Sequence, residues 1–303
     1  MSDSRPFALR DRRILVIGLG DVGGTLAAGL VNDGARVIGV RRGATAPVGV
    51  QFEPMDARDP RLLARLPDTL DAAVLCVTPA RPDEAGYRDS YLAIARAFAE
   101  RWSGGGVARV LWVSSTAVYA QGDDAEIDDD AIAHPATFRG QVMLDAEAAL
   151  RDSGAAVTAV RLSGIYGPGR TALLRRVLQG RGAPATPLAY TNRIHRDDAV
   201  AILAWLLERM TTDASLPDVL LATDPHPSPR HEVLSWLAQR LEVRLSAQEE
   251  DGPGRAPSRR MIPRRLLASG YNFRHPDYRS GFSAVIAAME ASGELAELRG
   301  ALQ

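Results

Sequence analysis

From residue 14 onward, short apolar runs alternate with longer stretches in which apolar residues recur every three or four positions. The runs at 14–17, 35–40, 72–77, 107–113 and 156–162 read as strands buried on both faces, which need no polar alternation, and 50–53 reads as a further strand between them. Leu26, Ala27, Leu30 and Val31 form an apolar stripe at helical spacing, as do Tyr91, Leu92, Ile94, Ala95 and Phe98 within 87–102. Further helices are predicted over 57–66, 142–150, 197–209 and 233–241. Strands separated by helices of this length predict a doubly wound parallel α/β sheet. Ligands of such sheets bind beyond the carboxyl ends of the strands. The candidate functional residues are therefore those that follow each strand.

The first strand runs into Gly18-Leu19-Gly20-Asp21-Val22-Gly23, a G-x-G-x-x-G turn that opens a helix. Strand, turn and helix in this order form the dinucleotide-binding fingerprint. Gly18 allows the tight turn, Gly20 lets a pyrophosphate approach the backbone, and Gly23 brings helix and strand together. The pyrophosphate is then expected on the unpaired N–H groups of the helix start. Binders of NAD place an acid about 20 residues further on to hold the ribose 2′-hydroxyl. This chain has Arg41-Arg42 there, which predicts NADP, through its 2′-phosphate, over NAD. Further cofactor contacts are expected at the other strand ends, from Asp56, Val77, Thr78, Pro79, Ser114, Ser163 and Tyr166.

Composition narrows the chemistry. The 303 residues carry a formal net charge of −1, which gives no footprint for nucleic acid or an anionic membrane. No apolar run has the length of a membrane span and the polar start lacks a signal-peptide core, so a cytoplasmic soluble protein is predicted. One cysteine, Cys76, excludes an internal disulfide, and no His/Asp/Glu spacing suggests a metal site. The chain has no lysine, so all 36 of its basic residues are arginine. Schiff-base chemistry and a catalytic ammonium are therefore excluded, because arginine does not lose its proton.

The segments GLGDVGG at 18–24, VSSTAVYA at 113–120, VRLSGIYGPGR at 160–170 and NRIHRDDAVAI at 192–202 together resemble the extended short-chain dehydrogenase/reductases, the NAD-dependent epimerase/dehydratase family. The resemblance spans residues 13 to about 210 and implies a Rossmann lobe with a smaller C-terminal α+β substrate lobe. Residues 1–166, with 190–225 returning, are assigned to the nucleotide lobe, and 167–189 with 226–303 to the substrate lobe. The family's chemistry uses a Ser/Thr after the fifth strand and a Tyr-x-x-x-Lys on the following helix. Ser115 matches the Ser/Thr. Aligned back from Glu147, the tyrosine position falls on Arg139 and the lysine position on Met143. The family's dehydratases carry Asp-Glu after the Ser/Thr, where this chain has Thr116 and Ala117. The resemblance also implies a homodimer through the helices after strands four and five.

Tyr119 is a candidate replacement proton donor and Arg139 a candidate oxyanion partner, with packing as the alternative role for Tyr119 and Tyr166. Arg170, Arg193 and His195 are candidate contacts for an anionic small-molecule substrate such as a nucleotide-sugar. His195 has the alternative of ordering the turn before the helix at 197–209. The acidic run at 123–130 reads as a solvated loop, and Gln248–Pro257 as the mobile edge of a lid. Two functions remain open: an NADP-dependent oxidoreductase or epimerase-like enzyme, and an NADP(H)-binding redox sensor without chemistry.

Overall fold

The computed structural model describes residues 8–210, 216–248 and 258–302. Seven strands form one sheet: β1 (Arg13–Ile17), β2 (Arg36–Arg41), β3 (Gln51–Pro54), β4 (Leu70–Leu75), β5 (Val107–Ser115), β6 (Ala156–Leu162) and β7 (Val219–Ala222). Their order is β7-β6-β5-β4-β1-β2-β3. Every neighbouring pair from β3 to β5 is parallel. β6 and β7 run the same way, with Ala159 N–H bonded to Asp218 O and Ser163 N–H to Ala222 O. This is a doubly wound Rossmann sheet whose order reverses between β1 and β4. The central strands are apolar throughout because both faces are covered: Ile14, Leu15, Val16, Ala73, Val74 and Leu75 are fully buried.

Two compact units divide the chain. The first holds residues 1–119, 135–161 and 199–220. It contains helices α1 (Asp21–Asn32), α2 (Ala93–Arg101), α3 (Phe138–Arg151) and most of α4 (Arg196–Arg209). The helical stretch predicted over 87–102 is broken locally, since Arg88–Leu92 forms a π-helical turn ahead of α2. Such turns occur frequently at functional sites.

The second unit holds 120–134, 162–198 and 221–303. Its core packs α5 (Arg230–Arg240) and α6 (Tyr278–Ser292) around Leu174, Val177, Leu234, Leu237, Phe282 and Ile286. Short two-stranded pairings complete it, among them Gly164–Tyr166 with Arg193–His195 and Ala125–Ile127 with Arg259–Met261. The second pairing moves 120–134 out of the nucleotide lobe to which the sequence assigns it. The handover also falls at 161–162 instead of 166, and the return comes at 199 instead of 190.

The acidic run is not a solvated loop. Asp129 is buried, and its carboxylate accepts the N–H groups of Leu221 at 2.7 Å and Arg265 at 3.0 Å. Arg264 pairs with Glu126 at 2.6 Å and Asp128 at 2.8 Å, Arg265 pairs with Asp130, and Ser258 bonds to Asp124. The run and the segment at 258–265 are complementary in charge. That complementarity is invisible while the paired residues are 134 to 138 positions apart in sequence. The predicted lid edge falls, beyond Gln248, outside the described residues.

Candidate nucleotide site and its surroundings

In the first unit the turn after β1 packs directly on the chain that leaves β4. Gly18 has φ 98°, and a Cβ there would stand 2.1 Å from the carbonyl oxygen of Cys76. A Cβ on Gly23 would meet Gly18 O at 2.0 Å, so helix and strand approach as closely as backbone permits. At Gly20, by contrast, nothing lies within 4 Å of the Cβ position. Gly20 is the N-cap of α1 and no side chain caps that terminus. The first-turn N–H groups therefore face an open cradle, the arrangement that suits a phosphate. Cys76 N–H bonds to Ile17 O at 2.8 Å, which fixes the start of the Val77-Thr78-Pro79 segment at the reversal point. Ser90, in the π-helical turn, accepts the N–H of Ala80 at 3.2 Å and holds the far end of that segment.

At the end of β2, the Arg41 guanidinium folds back over the turn and donates through Nη1 to Leu19 O at 3.1 Å. Arg42 is exposed beside it. Asp56 is held by Arg58, whose Nε donates at 3.0 and 3.1 Å and whose Nη2 donates at 2.6 Å. Those bonds, together with the charges of Arg58 and Arg42, keep the carboxyl below its usual range despite some burial.

Beyond β5, Ser115 accepts the N–H of Ala117 at 3.1 Å and caps a short 3₁₀ turn. With that acceptor position used, its O–H hydrogen remains to donate. Ser114 points elsewhere: buried, it donates to Glu147 Oε1 at 2.7 Å. Glu147 also takes a two-pronged contact from Arg161, at 3.1 Å from Nε and 2.7 Å from Nη2, and Arg161 Nη1 donates to the Tyr119 hydroxyl at 2.8 Å. Burial works against the guanidinium's charge, but the Glu147 carboxylate outweighs it and the pKa rises. Ser114 and Tyr119 are thus tied by their hydroxyls into a buried ion-pair network. Tyr119 is only 1% exposed, which removes it as a replacement proton donor. Arg139 is exposed near the start of α3, its guanidinium 5.9 Å from the ring centre of Tyr87 and 5.5 Å from that of Phe138. Met143 is buried.

The second unit places the remaining candidates. Tyr166 is buried, its hydroxyl donates to Asp277 O at 3.2 Å, and a Cβ on Gly281 would meet the Tyr166 hydroxyl oxygen at 1.9 Å. It is a core residue here, not a cofactor contact. Ser163 is buried and its N–H belongs to the β6–β7 ladder. Arg170 and Arg193 are half-buried, and Arg193's charge acts on Asp224. His195 is only 2% exposed, its ring edge-on to Tyr166 at 5.3 Å and 3.9 Å from the His275 ring centre. An exposed substrate contact is not what it makes. Its Nδ1 accepts the Asp197 N–H at 3.2 Å, so the turn-ordering alternative describes it better. Burial, then neighbouring His275, pushes its pKa down to about 4. Asp198 is buried and accepts the N–H groups of Arg274 at 2.8 Å and His275 at 2.9 Å. Burial pushes the Asp224 carboxyl up to about 7. His275 and Asp224 carry no motif in the sequence, and only folding brings them beside His195 or Tyr166.

A glycine-rich strand–turn–helix at the reversal point of a parallel sheet, with an open cradle at the helix start, defines a dinucleotide-binding α/β protein. Residues 14–216 match the model of the NAD dependent epimerase/dehydratase family, and the chain belongs to that family. It is 34% identical to a protein from Methylobacillus flagellatus assigned to the NAD-dependent epimerases/dehydratases, over 92% of this chain and 99% of that one, with a TM-score of 0.76. The human epimerase family protein SDR39U1, solved with NADPH, is 24% identical over 90% of this chain and 98% of its own, with a TM-score of 0.74. MoeE5, solved with UDP-glucuronic acid and NAD, shares the fold at 21% identity and a TM-score of 0.74, over 92% and 99% of the two chains. Nothing among the curated proteins matches the chain. No helix among the described residues is long and apolar enough to cross a membrane.

Proposed function

We propose that this protein is an NADP(H)-dependent oxidoreductase or epimerase-like enzyme acting on a small carbonyl or nucleotide-sugar-like substrate. The observation that carries the cofactor choice is Arg41, whose guanidinium lies over the glycine turn on Leu19 O with Arg42 beside it. Two guanidiniums and no acid at the end of β2 suit a 2′-phosphate and offer nothing to a bare ribose diol. The human relative solved with NADPH is in keeping with this.

The residues of the first unit fit such a cofactor. Backbone N–H groups of Gly20, Asp21, Val22 and Gly23 would receive the pyrophosphate, Arg41 and Arg42 the 2′-phosphate, and Val77, Thr78 and Pro79 would border it at the reversal point. Bound nicotinamide supplies hydride transfer. Ser115 donates a hydrogen bond to the substrate carbonyl oxygen as charge develops there. Arg170 and Arg193 are read as contacts for an anionic substrate, in keeping with the uridine nucleotide bound by MoeE5. We further read the protein as a homodimer joined through α2 and α3. The test of function is turnover: NADPH oxidation against a panel of carbonyls, imines and nucleotide-sugars.

The second reading, an NADP(H)-binding redox sensor, is favoured by the absence of any lysine and by Arg139 and Met143 at the family's tyrosine and lysine positions. A protein that binds NADPH tightly, turns over no panel member and changes a partner interaction on binding would establish that reading and end the first.

A further inference from the structure

Within the second unit, three side chains of types that ligate metals converge, which no sequence spacing groups together. His195 ends the strand Arg193–His195, Asp197 lies in the first turn of α4, and His275 sits in the loop before α6. One ligand atom from each lies within 4.8 Å of the other two. The two imidazole rings are 3.9 Å apart, centre to centre. His195 Nε2 and His275 Nδ1 are buried and have no hydrogen-bond partner among the described residues. Buried polar atoms without partners are rare, and each calls for an explanation such as a bound ion.

We propose that His195, Asp197 and His275 form a binding site for a divalent cation of the zinc type. Two imidazole nitrogens and one carboxylate oxygen are the donor set of borderline transition metals, and are poorly suited to magnesium or calcium. Three protein ligands leave a fourth position for water, as in open zinc sites. Tetrahedral zinc holds its ligand atoms roughly 3.3 Å apart, given bond lengths of about 2.0–2.1 Å. The cluster must therefore contract slightly, and half-buried Asp197 and His275 have room to turn.

The surroundings support the arrangement. Arg196 donates through Nε to Asp197 Oδ1 at 2.8 Å, while Oδ2 faces His195 Nδ1 at 3.8 Å. One carboxylate oxygen is thus oriented by a neighbour and the other turned toward the ring, the usual condition of a ligating carboxylate. Asp198 anchors the backbone of Arg274 and His275, so the third ligand rides on a fixed loop. Arg196 is the nearby charge that opposes a cation, and Asp197 already neutralises it. The ion would clasp the turn at 195–197 to the loop at 275.

The test uses untagged full-length protein, stripped with chelator and titrated with zinc chloride by calorimetry and with cobalt(II) by visible absorption. The expected result is one ion per chain, tetrahedral cobalt bands, and a rise in Tm of roughly 5 °C with zinc at a hundredfold excess over Kd. His275→Ala and Asp197→Asn should each weaken binding at least tenfold, and His134→Ala and His231→Ala should leave it unchanged. No stoichiometric binding, or binding that survives His275→Ala, overturns the site. Should that variant fail to fold, histidine-selective NMR of the wild type decides. Zinc must move the ring signals of His195 and His275, and movement confined to His134, His226 or His231 refutes the proposal.

Discussion

At Arg41 one side chain serves both the turn and the expected ligand. Its bond to Leu19 O keeps the guanidinium over the glycine cradle, where it needs little reordering to meet a phosphate. A charge-assisted contact of this kind contributes about 1.5–3 kcal/mol. The Arg41→Ala/Arg42→Ala double variant should therefore lose a preference for NADPH over NADH of tenfold or more, read by fluorescence titration of both. Equal affinities in the wild type would remove the 2′-phosphate assignment. Ser115 accepts the N–H of Ala117, and its O–H hydrogen is still available to donate. Ser115→Ala should lower kcat roughly 10²- to 10³-fold, the usual cost of one such donor, with NADPH affinity little changed. Arg139→Ala should cost less, because that guanidinium lies against two aromatic rings.

Between elements, the buried Glu147–Arg161 pair joins α3 to β6 and fixes Ser114 and Tyr119 with it. Removing one partner leaves a buried charge uncompensated, which typically costs about 3–5 kcal/mol. Glu147→Leu should accordingly shift the urea midpoint far down. Adding Arg161→Met should restore most of the loss, and a double variant no more stable than the single would contradict the pairing. Asp224 makes a pH prediction of definite sign. Its carboxyl is pushed from 3.8 up to about 7 by burial, so the folded protein holds a proton that the unfolded chain has released. The associated stability is complete below about pH 4 and disappears as pH rises through 7, at about 1.4 kcal/mol per pH unit. Asp224→Asn should flatten that decline in melts recorded from pH 4 to 8.

For the molecule as a whole, the homodimer proposal comes from the family resemblance, and the helices it names, α2 and α3, border a groove lined by Arg96, Ala99, Asp145, Ala148, Ala149 and Asp152. Alanines between charges of both signs suit a two-fold contact, in which Arg96 of each copy would meet an aspartate of the other. Light scattering should give twice the 32.5 kDa chain mass at micromolar concentration. Ala148→Arg should return the monomer, and a wild-type monomer would end the proposal.

What could be read from residues alone was whatever depends on near neighbours. Ile14–Ile17, Gly18–Gly23 and the stripe that follows lie within one strand–turn–helix, so their periodicity specified the element and the phosphate cradle together. The same held for the alternation behind six of the seven strands of the sheet, whereas the edge strand Val219–Ala222 was not among the predicted runs. Packing by Tyr119 and Tyr166 and turn-ordering by His195 were legible only as alternatives, and the role of Asp129 not at all, because each depends on a partner far along the chain: Arg161, Asp277, His275 and Arg265. A tyrosine at a strand end has the same local signature whether its hydroxyl faces a crevice or a buried guanidinium. A charged run looks solvated until an equally charged run of opposite sign is laid against it. Local sequence sets backbone conformation, whereas burial and charge pairing are set by long-range contacts, and those only the tertiary structure decided.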